Sequence, residues 1–159
     1  GAVDTYEQRP LSVGQSINDL ARRAKNQDRR IVSWSTHEMV KIAESELSPS
    51  LLRMFEHNYR DGKVSAKEWF EELGLTTAKQ TNTLVRYLEE AEYPLPKTYG
   101  LGRTTKRLKS VLGGIENKGS WSRLLDGQQQ NWEGLLVHNF ADCHGLRHIT
   151  KMATAALNS

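Results

Sequence analysis

Cysteine is almost missing from this chain. Cys143 is the only one in 159 residues, so no internal disulfide can form, and a reducing, cytoplasmic location is expected. No run approaches the roughly 18 apolar residues of a membrane span, so no membrane partner is expected. The opening Gly1-Ala2-Val3-Asp4 has neither the basic nor the apolar stretch of a signal peptide, and reads as a cut edge of a larger protein. Internal repeats and low-complexity tracts are lacking too. Charge excess is small: 22 basic against 19 acidic residues leave a net +3, with a pI near 9.0. That balance mildly favours a polyanionic partner without requiring one. What remains is 37% hydrophobic and 26% charged, the make-up of an ordinary, somewhat polar soluble protein. The length fits a single domain over residues 1–159, long enough for a core without staples.

The clearest β-like stretch is Arg30-Ile31-Val32-Ser33-Trp34-Ser35, short, β-branched and aromatic. Nearly everything else carries helical spacing. Residues 1–12 read as irregular, broken by Pro10. Ile17, Leu20, Ala21 and Ala24 predict a helix from about Val13 to Lys25. Thr36 is placed to cap a second, with Glu38 in its first turn, and Ser48-Pro49 opens a third. A turn around Asp61-Gly62 precedes a helix capped by Ser65 and stopped by Gly74. Thr76 to Glu92 reads as helical, and Tyr93-Pro94-Leu95-Pro96 as an extended connector. Thr104 to Leu112 predicts a helix ended by Gly113-Gly114. Residues 115–127 read as a loop with one helical turn near Trp121–Leu125. A long helix from about Gln129 to Leu157, with a break allowed near Asn139, closes the chain. One strand alone leaves its backbone groups unpaired. Residues 1–10 and 59–64 are therefore its candidate partners, unless further strands lie upstream. The four tryptophans, Trp34, Trp69, Trp121 and Trp132, read as core or interface anchors.

Two polar groups stand out against this background. Leu135, Leu136, Leu146, Ile149, Met152, Ala153 and Ala156 mark a buried stripe on the last helix, and Asp142 lies within that pattern. A carboxylate there must be solvated, paired or bound to a metal. His138 precedes it by four residues and shares its face. The second group is Ser33-Trp34-Ser35-Thr36-His37-Glu38, where strand gives way to helix, the edge at which open α/β sheets bind ligands. Helix capping explains Thr36 and Glu38 equally simply. A zinc reading of His138, Cys143, His144 and His148 lacks a second pair at finger spacing, and Cys143 reads as a small buried residue. Basic residues gather at Arg22-Arg23-x-Lys25, at Arg29-Arg30 and, most densely, at Arg103, Lys106, Arg107 and Lys109. Flanked by Tyr99 and glycines, that last stretch suits a phosphate backbone, DNA or RNA, as well as it suits a solvated helix face.

The order of these parts resembles the ribonuclease H-like exonuclease superfamily with four acidic residues. His138-Asn139-Phe140-Ala141-Asp142, followed by Leu146-Arg147, resembles its last motif. Ile31 to Glu38 resembles its middle motif, with Glu38 where an aspartate is usual. Tyr59 to Trp69 resembles the next strand and helix, and Leu108 to Gly113 the helix before the last motif. The family's Asp-x-Glu is not found; Asp4-Thr5-Tyr6-Glu7 has the wrong spacing. The resemblance implies an α/β, helix-rich fold with a small ribonuclease H-like sheet flanked by helices, incomplete if the chain is the C-terminal part of a larger nuclease-like domain. It also implies metal-dependent 3'-5' exonuclease-like hydrolysis of phosphodiester bonds. Two divalent ions about 3.5–4 Å apart would activate water and steady the leaving oxygen. Asp142 and Glu38 would then be ligands of Mg²⁺ or Mn²⁺, with His138 orienting or deprotonating the water. The missing Asp-x-Glu and the helical pattern support the other expectation, a non-catalytic nucleic-acid-binding or assembly module.

Overall fold

Ser12 begins the chain's first described helix with a reciprocal cap. Its hydroxyl accepts from the Gln15 amide at 3.2 Å while the Gln15 side chain accepts from the Ser12 amide at 2.9 Å, which satisfies two helix-end donors at once. The computed structural model describes residues 12–44, 47–75, 83–97, 99 and 103–158. Their order is α1 (Val13–Asn26), β1 (Ile31–Ser33), α2 (His37–Ala43), α3 (Pro49–Asn58), β2 (Tyr59–Asp61), α4 (Gly62–Glu72), α5 (Leu84–Glu90), α6 (Arg103–Lys118), a 3-10 turn (Trp121–Arg123) and α7 (Asp126–Leu157). The chain is helix-rich with a small parallel sheet: β1 pairs with β2, Ile31 opposite Tyr59 and Ser33 opposite Asp61. The described residues form two compact units, one of residues 12–87 with 146–158 and one of residues 88–145.

In the first unit, α1 lays Ile17 and Ala21 on Phe55 of α3, and Ile31, Met39, Leu51 and Tyr59 pack around them. Beside this core Phe70 and Tyr87 bring their rings to 4.1 Å, and Trp34 meets Tyr87 edge-on at 5.0 Å. A Cβ on Gly62 would stand 2.9 Å from Leu146 and 3.1 Å from the Ser33 carbonyl. Only glycine lets α4 start hard against β1 and the tail of α7. In the second unit, α6 lies along α7 through polar side chains. Gln128 donates to the Ser110 carbonyl at 3.2 Å and Asn131 to the Ser110 hydroxyl at 3.1 Å. Val111, Leu124 and Leu135 are buried. Trp121 and Trp132 meet edge-on at 6.0 Å.

Several expected boundaries move. β1 keeps three residues of the six expected. Residues 1–10 and 76–82 lie outside the described residues, so the pairing expected of the first and the helix expected over the second are not among the elements. Thr36 gives no side-chain cap to α2; Ser35 does, accepting from the His37 amide at 3.3 Å. Asp61, not Ser65, caps α4, accepting from the Lys63 amide at 2.9 Å, so the helix starts directly at the end of β2. Gly113-Gly114 does not end α6. Gly114 serves packing instead, since a Cβ there would meet Gln128 at 2.5 Å and Leu124 at 2.6 Å. The helix stops only at Gly119, with φ +77°. α7 passes Asn139 without a break.

Candidate functional site

α7 settles what kind of acid Asp142 is. Leu135, Ala141, Ile149 and Ala153 are the helix's buried apolar positions, and Leu136, Leu146, Met152 and Ala156 are half-buried. Asp142 sits at the margin of that stripe, its side chain 38% exposed. One turn earlier His138, 19% exposed, brings Nε2 to 3.3 Å from Asp142 Oδ2. The same-face geometry expected from the four-residue spacing is therefore present. The other oxygen, Oδ1, accepts from the Tyr99 hydroxyl, and the Tyr99 ring lies 4.6 Å from the His138 ring. Tyr99, His138 and Asp142 thus make one cluster in the 88–145 unit, joined by the Tyr99 hydrogen bond, the His138–Asp142 contact and the ring contact. Burial first, then the bond to the Asp142 carboxylate and its charge, push the Tyr99 phenol well above its ordinary value. The phenol stays a donor through the neutral range.

Tyr99 was not legible as a site residue. It lies 43 residues from Asp142, and no local spacing encodes a contact of that range.

Glu38 belongs to the other unit and to a different kind of cluster. It is exposed in the first turn of α2, and its Oε2 faces the Ser35 hydroxyl at 3.1 Å and the Ser33 hydroxyl at 3.3 Å. Ser33 also reaches the Ser35 carbonyl at 2.6 Å and contacts the Tyr59 hydroxyl. Tyr59 donates to the same Ser35 carbonyl. Desolvation raises the Tyr59 phenol, the Ser33 bond lowers it in part, and the charges of Glu38 and Asp61 raise it further. The arrangement ties the end of β1 to the start of α2 and to β2. A carboxylate at a helix start held by two hydroxyls is what end-stabilisation asks for.

Donors therefore converge on both carboxylates. Among the described residues no three His, Cys, Asp or Glu side chains form a group able to hold a metal ion. That applies equally to His144 and His148. Cys143, expected to be buried, is exposed, because it lies off the apolar stripe. No protein-family model, no curated protein and no solved structure matches the chain.

The basic stretch divides into two roles. Arg103, Lys106 and Lys109 are exposed, and among the described residues none of them pairs with a carboxylate. Arg107 is half-buried and turns to α7, donating from Nη1 to the Gly134 carbonyl at 3.2 Å. A Cβ at Gly134 would lie 2.9 Å from its guanidinium carbon, so the glycine makes the room this contact needs. No helix of the described chain is long and apolar enough to cross a membrane.

Proposed function

We propose that this chain is a nucleic-acid-binding module that follows a phosphodiester backbone with Arg103, Lys106 and Lys109 of α6. The observation that carries the reading is that these three cations are exposed on the opening turns of a 16-residue helix whose first turn holds no acid. Cations at the positive end of a helix dipole are unfavourable by about 0.3–1 kcal/mol each. A bound polyanion reverses that penalty and also accepts the N-terminal field. In the same unit Phe140 is 64% exposed, and the His144 ring stacks on it at 4.0 Å. That pair offers an unpaired base a planar surface.

A second reading, metal-dependent phosphodiester hydrolysis, is supported by the His138–Asp142 pair. It needs Asp142 to exchange its Tyr99 donor for Mg²⁺ or Mn²⁺. Fluorescence anisotropy with a labelled single-stranded oligonucleotide, with and without Mn²⁺, separates the two. The binding reading expects saturable binding that weakens steeply with salt and no cleavage. Salt-insensitive binding overturns it. Mn²⁺-dependent shortening of the oligonucleotide that Asp142→Asn abolishes establishes hydrolysis in its place.

A further inference from the structure

The cations at the far end of α1 surround a cavity that the α6 reading does not use. α1 ends in a tight αL turn. Asp28 takes φ +47°, its amide donates to the Lys25 carbonyl at 3.3 Å, and the Arg29 amide donates to the Ala24 carbonyl at 2.8 Å. This two-bond closure fixes the backbone of Arg29 just beyond the helix. There Arg23, Arg29 and Arg30 line a cavity of about 500 Å³, whose apolar wall includes Leu20, Ile31 and Val32. Among the described residues no carboxylate lines it.

Arg30 is held from behind. Its Nη1 reaches the side-chain oxygen of Asn58 at 3.4 Å. Asn58 is only 6% exposed, and its amide is committed to the Met54 carbonyl at 3.0 Å. That contact uses one of the five N–H donors a guanidinium carries. Complementing the helix dipole accounts for Arg23 in the last turn of α1. It does not account for Arg29 and Arg30, which lie outside the helix. Like charges around one cavity raise each other's energy unless an anion joins them.

Guanidinium groups match the paired oxygens of a phosphate and also stack on flat rings. The apolar wall asks for a ligand with a flat, weakly polar body, and the volume is in the range of small-molecule sites. We infer that this cavity binds a mononucleotide, its phosphate on Arg23, Arg29 and Arg30 and its base against Leu20, Ile31 and Val32. The inference stands apart from the α6 stripe and survives if α6 binds nothing.

Titration of the full chain with adenosine 5'-monophosphate, by calorimetry and by amide chemical shifts, tests it. One saturable site is expected, with the largest shifts within residues 20–32. Inorganic phosphate, lacking the base, should bind at least about tenfold more weakly. Arg29→Gln and Arg23→Gln should each weaken binding by about tenfold, the loss of one charge-assisted hydrogen bond. Lys67→Gln, an equal charge change on α4, should leave it within about twofold. Thermal melts matching the parent show that each variant is folded. No binding, equal affinity for inorganic phosphate, or affinity indifferent to both arginine changes overturns the inference.

Discussion

Tyr99 shows how much of this protein's polar chemistry rests on single contacts. Its hydroxyl satisfies one Asp142 oxygen while His138 faces the other. The phenol is raised from its ordinary value of 10.0 in the folded chain. A raised acid contributes stability that is complete below the unfolded value and declines as pH climbs past it, because the unfolded chain then releases a proton the folded one keeps. Urea unfolding between pH 8 and 11 should therefore show stability falling above pH 10. Tyr99→Phe should flatten that fall without abolishing it, since Tyr59 is raised in the same direction. At neutral pH the same change should cost about 0.5–1.5 kcal/mol for the lost hydrogen bond. A pH profile that Tyr99→Phe leaves unaltered would show that the hydroxyl does not hold Asp142.

At the scale of elements, most apolar faces and the start of α3 were legible because their causes are local, whereas α2 and α4 took other caps than expected. Ser48-Pro49 opens α3 as expected, the Ser48 hydroxyl accepting from the Leu51 amide at 3.3 Å. Most helix ends fell within two residues of expectation: α1 ends at Asn26 against Lys25, α5 at Glu90 against Glu92, and α7 at Leu157 as expected. α1 and α5 stop with Asp28 and Glu92 in the left-handed conformation, the role Gly74 plays after α4. Gly113-Gly114 misled, since α6 runs past both. One of these glycines is a weak point of the helix and the other a packing requirement. Gly113→Ala meets nothing within 4 Å and should stabilise the chain by up to about 1 kcal/mol through helix propensity. Gly114→Ala must displace Gln128 and Leu124, and should cost about 1–3 kcal/mol despite the same propensity gain. Paired denaturant titrations of the two variants decide this. Equal effects would mean that α6 does not lie on the turn before α7 as closely as described.

For the molecule as a whole, the helix-rich character with a short β1 was readable from spacing alone, as was the His138–Asp142 face. β2 lies within residues 59–64, one of the two stretches expected to pair with β1, although its parallel register was not readable. The Tyr99 contact and the division of the basic stretch were not readable either, because they join residues 43 and 27 apart, a range helical periodicity does not reach. The division has a measurable consequence. If charge on α6 is what meets a polyanion, removing cations must change how affinity depends on salt, not only its size. Each phosphate neutralised on a single strand contributes about 0.7 to the slope of log affinity against log salt. Lys106→Gln with Lys109→Gln should therefore lower that slope by about 1.4. Arg107→Gln removes the same kind of charge from the same helix, but this guanidinium is half-buried and turned to the Gly134 carbonyl. It should cost stability, about 1 kcal/mol for the bond, and leave the slope nearly unchanged. A slope that falls equally for Arg107→Gln and for the paired lysine change, counted per charge, would show that net charge alone governs binding and that α6 presents no oriented stripe.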